Sequence, residues 1–254
     1  LIWEVIELAV RSLLKKVKDG RMSVEEAERV IKLGNVRKIG EFAKIDAGRD
    51  LRAGVPEVIL AEGKTPEQIV RIVEKLKDRN LLISRVGEEH LKALRKKFKG
   101  FRYNKLARTI GFVRVKPEKA GRVGVITAGT SDIPVAEEAA VVAEMMGCEV
   151  KKTYDVGVAG VHRLLAPLKK MVEDGVDVIV VVAGREGTLP SIVAGLVDIP
   201  VIGVPVSSGY GFGGRGEAAL KSMLQSCSFL TVVNIDNGVG AGACASLIAR
   251  RAND

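Results

Sequence analysis

The sequence predicts an α/β protein: a doubly wound parallel sheet in its C-terminal half, preceded by a smaller α/β domain. Three observations carry this. From residue 122 onward, apolar runs alternate strictly with helical segments. The runs are nearly continuous in Val and Ile, as in strands buried on both faces of a parallel sheet. Glycines and polar residues gather where those runs end, at the edge where open α/β sheets bind ligands.

In chain order, residues 1–34 read as two amphipathic helices. The apolar start, Leu1 to Val10, contains Glu4 and Glu7 and lacks a basic lead-in and a small-residue cleavage site, so it reads as a helix and not a signal peptide. The first helix ends near Asp19-Gly20, where glycine suits a C-cap. The second opens at Ser23 with Glu26 at capping-box spacing. Residues 56–60 and 80–83 suit strands, and the helix between them starts with Thr65 as N-cap and Pro66 in its first turn. A helix around 88–98 and a strand around 107–115 complete this unit. The segment 116–121 reads as a linker, separating a domain over 1–118 from one over 122–254. In the second domain, strands at 122–128, 149–154, 177–183, 200–204 and 229–235 alternate with helices at 133–146, 160–173, 188–196, 216–227 and 240–252.

Residues 1–118 hold 28 lysines and arginines against 17 acidic residues, whereas the rest of the chain holds 12 against 14. The basic excess therefore belongs to the first domain, where it suits an anionic ligand, nucleic acid or mere solubility. Runs such as Glu74 to Arg79 read as a solvated helix face laced with ion pairs. No stretch approaches the roughly 18 uncharged apolar residues of a membrane span, so no membrane partner is expected. Cys148, Cys227 and Cys244 show neither CxxC pairing nor ligand spacing, which suggests a reducing cytoplasm and argues against structural zinc.

Several strand ends carry candidate chemistry. The first strand of the second domain runs into Gly129, Thr130, Ser131 and Asp132. Small residues and a helix N-terminus there suit a phosphate or ribose, although Ser131 or Asp132 alone would serve as a helix cap. The third strand ends in adjacent Arg185 and Glu186, suited to holding an anion and moving a proton, or forming an ordinary loop ion pair. The fourth leads into a glycine-rich stretch with Ser207 and Ser208, which reads as a mobile lid or as a plain loop. His162 and Arg163 open a helix, and one of only two histidines in the chain stands there. Asn234, Asp236 and Asn237 lie in a polar strand-to-helix turn that suits a ligand or a neighbouring subunit. Cys227 is expected at the end of helix 216–227, which offers nothing to favour a thiolate. On its residues alone it reads as a small buried hydrophobe, and Cys244 more so.

Over residues 122–250 the series GTSD, HR, AGREGTLPS, IGVPVSSGYG and NIDNGVGAG resembles the carboxylase domain of class I aminoimidazole ribonucleotide carboxylases, a PurE-like, flavodoxin-like fold. Two departures set the chain apart. Ile133 stands where that family carries tryptophan, and its AGAAHLPG-like loop becomes AGREGTLPS, which brings in Arg185 and Glu186. These departures are similar to the LarB family, which makes the nickel-pincer nucleotide cofactor of lactate racemase maturation. That resemblance covers nearly the whole chain through FAKIDAGRDLRAGVPEVILAEGKTPEQ at 42–68, AGREGTLPS, SSGYGFGG, Ser226-Cys227 and NIDNG.

The resemblance implies a cytoplasmic enzyme that carboxylates C5 of the pyridinium ring of nicotinic acid adenine dinucleotide with CO2. It also implies hydrolysis of the phosphoanhydride, giving AMP and pyridinium-3,5-biscarboxylic acid mononucleotide. Cys227 would be the nucleophile and Glu186 the base, a reversal of the residue-level reading of Cys227 that rests on the resemblance alone. Gly129 to Asp132, His162, Arg163, Arg185, Ser207, Ser208, Asn234, Asp236 and Asn237 would contact substrate. Lys44, Asp46, Arg49, Arg52 and Lys64 would cover the AMP half. Mg2+ is expected mainly through substrate phosphates with Asp132 as contributor, no tightly bound organic cofactor is expected, and a homo-octamer is implied. Two other readings stand beside this one: aminoimidazole ribonucleotide carboxylase or mutase activity, and an RNA-binding protein using the basic domain. The last lacks any RRM or KH signature, so no nucleic-acid partner is expected.

Overall fold

The computed structural model describes residues 11–33, 36–41, 43–46 and 54–254. Helix α1 covers residues 11–18 and stops at the turn of Asp19 and Gly20, the latter at φ 67°. Helix α2 (Val24–Leu33) opens on the expected capping box. The Glu26 amide donates to Ser23 Oγ at 3.1 Å, and the Ser23 amide to Glu26 Oε2 at 3.0 Å. An antiparallel hairpin of β1 (Val36–Ile39) and β2 (Ala43–Asp46) follows, an element absent from the sequence pattern. Among its described side chains Ile39 and Ile45 are buried and Ala43 packs beside them, a short apolar set interrupted by charged residues.

The rest of the first domain comprises β3 (Glu57–Leu60), α3 (Pro66–Lys75), β4 (Leu81–Ser84), α4 (Glu88–Lys97), β5 (Arg102–Asn104) and β6 (Thr109–Phe112). Their sheet runs β3-β4-β6-β5, with β3 and β4 parallel and β6 antiparallel to both neighbours. Thr65 and Gln68 form a reciprocal cap on α3, as read from the sequence. The strand expected over 107–115 is present as β6, shortened to Thr109–Phe112, and its hairpin partner β5 lies before that range. Residues 105–108 turn, with Arg108 at φ 52°, so pairing resumes only at Thr109.

The second domain alternates β7 (Arg122–Thr127), α5 (Ile133–Met145), β8 (Glu149–Thr153), α6 (His162–Glu173), β9 (Val178–Ala183), α7 (Leu189–Leu196), β10 (Val201–Pro205), α8 (Glu217–Leu224), β11 (Thr231–Val232) and α9 (Gly238–Asn253). All five strands are parallel, ordered β11-β10-β9-β7-β8. Counted within the domain this is the 2-1-3-4-5 order of flavodoxin-like sheets. Side chains alternate between faces: Val178, Val180 and Val182 meet α5 and α9, whereas Ile179, Val181 and Ala183 meet α6, α7 and α8. Each such Val or Ile contributes about 1.5–3 kcal/mol through burial, which is why the runs are continuous rather than alternating.

The two domains share a further core. Val58, Leu82 and Val113 pack against Val142, Met145 and Met146 at α5 and against Val239, Ala243 and Leu247 of α9. Helix α5 is therefore covered on both sides, and its sequence is apolar nearly all round. The Gly/Ala-rich start of α9 packs closely on α5: a Cβ on Gly242 would lie 2.4 Å from the Ala139 carbonyl oxygen. Two further bounds are corrected. Helix 216–227 ends at Leu224, and the last strand shrinks to Thr231–Val232. Among the described residues no helix is long and apolar enough to cross a membrane.

Candidate active site

In a sheet ordered this way, the connections diverge between β7 and β9, and ligands bind beyond the carboxyl ends of strands at such a switch point. The β7 strand ends at buried Thr127, whose Oγ1 accepts the Asp155 amide at 3.0 Å. A single 3-10 turn, Thr130–Asp132, then leads into α5. Thr130 and Ser131 are exposed and Gly129 is half-buried, but Asp132 is only 3 % exposed. Its Oδ2 accepts the Gly129 amide at 2.8 Å and its Oδ1 the Ser208 hydroxyl at 3.4 Å. Burial pushes the Asp132 carboxyl above the ordinary range, against the pull of hydrogen bonds from Gly129, Gly184, Ser208 and Ser131.

The β9 loop closes tightly, the Gly187 amide donating to the Gly184 carbonyl at 2.9 Å. Gly184 is needed for close approach: a Cβ there would lie 3.2 Å from Ser208 Oγ and 3.3 Å from Asp132 Oδ1. Arg185, at φ 51°, stacks its guanidinium over the Tyr210 ring at 4.4 Å, and both Arg185 and Glu186 are exposed. From the β10 side, the Ser207 amide donates to Asp236 Oδ1 at 2.9 Å, which ties the glycine-rich loop to the turn after β11. Asn237 caps α9 by accepting the Gly240 amide at 2.8 Å, and Asn234 Oδ1 accepts the Ile235 amide at 2.8 Å. The structure thus joins Gly129–Asp132, Gly184, Ser207, Ser208 and Asp236 at one edge, with Arg185 and Glu186 on its rim.

Strained backbone gathers at this edge. Asp155, Arg185, Arg215 and Asp236 all have positive φ, and each lies in a loop that leaves the carboxyl end of a strand. Asp155 escaped the sequence reading. It bonds Arg163 Nη1 at 2.9 Å, while Arg163 Nε donates to the Gly160 carbonyl at 3.3 Å. His162, the first residue of α6, is exposed. Arg85, from the carboxyl end of β4, was missed as well. It pairs with Glu62 at 2.8 Å and feels the charges of Glu138 and Asp236. Beside it, the Ser84 hydroxyl donates to buried Glu138, a carboxyl that burial pushes up. The first domain therefore reaches this edge through Ser84 and Arg85. Lys44 is exposed on β2. Arg49, Arg52 and the side chain of Asp46 lie outside the described residues.

Cys227 corrects two expectations. It is exposed, and it lies past the end of α8 in the turn leading to β11. Because Thr231 pairs with Ile202 near the start of β10, that turn lies at the amino-terminal edge of the sheet, opposite Glu186. No hydrogen bond or ion pair joins the two. Cys244 is exposed on α9, where packing was expected. No cluster of three or more His, Cys, Asp or Glu side chains suited to a metal ion occurs among the described residues.

Residues 36–116 match the family model described as the LarB/PurE-like N-terminal domain, and residues 122–254 match that of AIR carboxylase. The chain is 45% identical, over 95% of its length and 97% of the relative's, to an uncharacterized protein of Methanocaldococcus jannaschii. It is 36% identical to an N5-carboxyaminoimidazole ribonucleotide mutase of Pyrococcus horikoshii, over 52% of this chain and 74% of that protein. A mutase of the same name from Thermotoga maritima is 34% identical over 50% of this chain and 74% of that protein.

Proposed function

Because this chain belongs to the LarB family, with a PurE-like C-terminal domain, we propose that it carboxylates C5 of the pyridinium ring of nicotinic acid adenine dinucleotide and cleaves the phosphoanhydride. The observation that carries this reading is the β9 loop, where Arg185 and Glu186 stand exposed at the switch-point edge beside Asp132 and Ser208. A pyridinium ring is too electron-poor to attack CO2. Addition of the Cys227 thiolate at C4 gives a dihydropyridine whose C5 is enamine-like, and C5 then bonds to CO2. The Glu186 carboxylate takes the C5 proton, the C4–S bond breaks, and aromaticity and thiolate are both restored. Arg185, over the Tyr210 ring, is placed to pair with a carboxylate or phosphate of the substrate.

Two features bound the scheme. Asp132 fits poorly as a cation ligand, since its oxygens are taken by Gly129, Gly184 and Ser208, and no ligand cluster occurs among the described residues. Any Mg2+ would enter with the substrate's phosphates, and no step here runs through it. Cys227 and Glu186 lie at opposite edges of the sheet, so the scheme requires two copies of the chain to bring them together. Leu224 and Phe229, which flank Cys227, are 65% and 98% exposed and would be covered by such a contact. A second reading, as an aminoimidazole ribonucleotide carboxylase or an N5-carboxyaminoimidazole ribonucleotide mutase, is favoured by the family model and the names of the relatives that match the second domain. The test offers purified protein each substrate, with bicarbonate and Mg2+, and follows products by mass spectrometry beside Cys227→Ala. AMP and a dicarboxylated mononucleotide are expected from the wild type alone. Carboxylated aminoimidazole ribonucleotide without any carboxylated pyridine would favour the second reading.

A further inference from the structure

A cleft of about 710 Å³ lies between the two domains, lined by Arg102, Tyr103, Thr109, Lys116, Lys119 and Met145 among others. Its floor also includes Gly147 and Cys148, the turn between α5 and β8. That turn and the linker before β7 belong to the amino-terminal edge of the parallel sheet. The cleft is therefore separate from the candidate active site at the carboxyl edge.

The charges on its wall are unbalanced. The carboxylate that lines it, Glu144, already pairs with Lys152 at 3.4 Å. Arg102, Lys116 and Lys119 are exposed and enter no ion pair among the described residues. Thr109 supplies an independent signal. It lines the cleft, is only 1 % exposed, and its Oγ1 has no hydrogen-bond partner, a costly state for a buried hydroxyl. Met145, Val141 and Val113 add apolar surface, and Tyr103 adds a ring that Arg95 approaches at 6.0 Å. The volume falls within the 300–1,000 Å³ or so of small-molecule sites. A mixed wall of cations and apolar surface, with an unpartnered hydroxyl buried behind it, suits a phosphate monoester carried on a flat heterocycle better than a bare ion.

We propose that this interdomain cleft is a second binding site, for a mononucleotide-sized phosphate monoester. Lys116, Lys119 and Arg102 hold the phosphate, and Tyr103 and Met145 meet the ring. The test follows backbone hydrogen exchange in the full chain with AMP, with inorganic phosphate, and with AMP on the charge-reversed variant K116E/K119E, whose substitutions are on exposed side chains. AMP is expected to slow exchange over 102–119 and 144–148, phosphate to do so only at much higher concentration, and the variant to weaken AMP there by at least about tenfold. Protection confined to the loops at 129–132, 184–187 and 207–214 would overturn the proposal, as would none at millimolar AMP. So would protection of the cleft that survives K116E/K119E, or that phosphate reproduces at equal concentration. The readout is independent of turnover, so the carboxylase reading stands or falls separately.

Discussion

Glu137 receives three donors at once: the Tyr154 hydroxyl, Asn104 Nδ2 from the first domain, and Lys152 Nζ at 3.1 Å. Burial pushes its carboxyl up, but the hydrogen bonds and charge outweigh that, leaving it below the ordinary value of 4.5. A lowered folded value means stability present in full above about pH 4.5 and lost as pH falls through the folded value. Glu137→Gln is predicted to cost about 2 kcal/mol at pH 7 in urea unfolding. The gap to the wild type should close on acidification below pH 4.5, and a gap constant with pH would mean that shape, not charge, does the holding. At this scale the sequence was legible where a residue acts on its own helix, as Ser23 and Thr65 do. It was silent on Asp155 and Arg85, whose partners Arg163, Thr127 and Glu62 come from other elements. It misplaced Cys227 because the apolar period of α8 runs past Leu224, although the helix itself does not.

At the scale of elements, α5 and α9 cross closely because their contact faces are built from Ala and Gly. In an ordinary helix interior, Gly→Ala gains up to about 1 kcal/mol. At Gly242 the sign should reverse, since the new Cβ would sit 2.4 Å from the Ala139 carbonyl oxygen and overpacking costs about 1–3 kcal/mol. Gly195→Ala in α7 is the control, its nearest neighbour being Ser228 Oγ at an ordinary 3.5 Å. Thermal unfolding should show Gly242→Ala melting below the wild type and Gly195→Ala at or above it. Strands in the second domain were readable because burial on both faces demands uninterrupted Val and Ile. The β5 arm of the β5–β6 hairpin went unread because it spans only Arg102–Asn104 and its turn, Lys105 to Arg108, contains no glycine or proline to mark it.

At the scale of the molecule, the layers place a helix pair between two sheets and put the candidate site at one edge of the second. If two copies must meet to join Cys227 to Glu186, each inactive single variant still carries one intact partner. A refolded mixture of Cys227→Ala and Glu186→Gln is therefore predicted to recover part of the wild-type turnover, up to about a quarter if each site draws one residue from each of two randomly mixed chains. An inactive mixture, with each variant shown to assemble, would place both residues in one chain's site or remove one from the chemistry.

By itself the sequence determined the fold class, the division of charge between the two halves, the helix caps and the strand ends where polar residues concentrate. These follow from local periodicity and from the cost of burying a strand, which neighbours in the chain report. Only the tertiary structure decided that Asp132 is buried beneath Ser208 and Gly184, that Arg85 pairs with Glu62, that Cys227 faces outward at the far edge, and that Thr109 lines a basic cleft between domains. Each of these depends on which strands lie side by side. That choice is made by packing among residues far apart in sequence, and no local pattern records it.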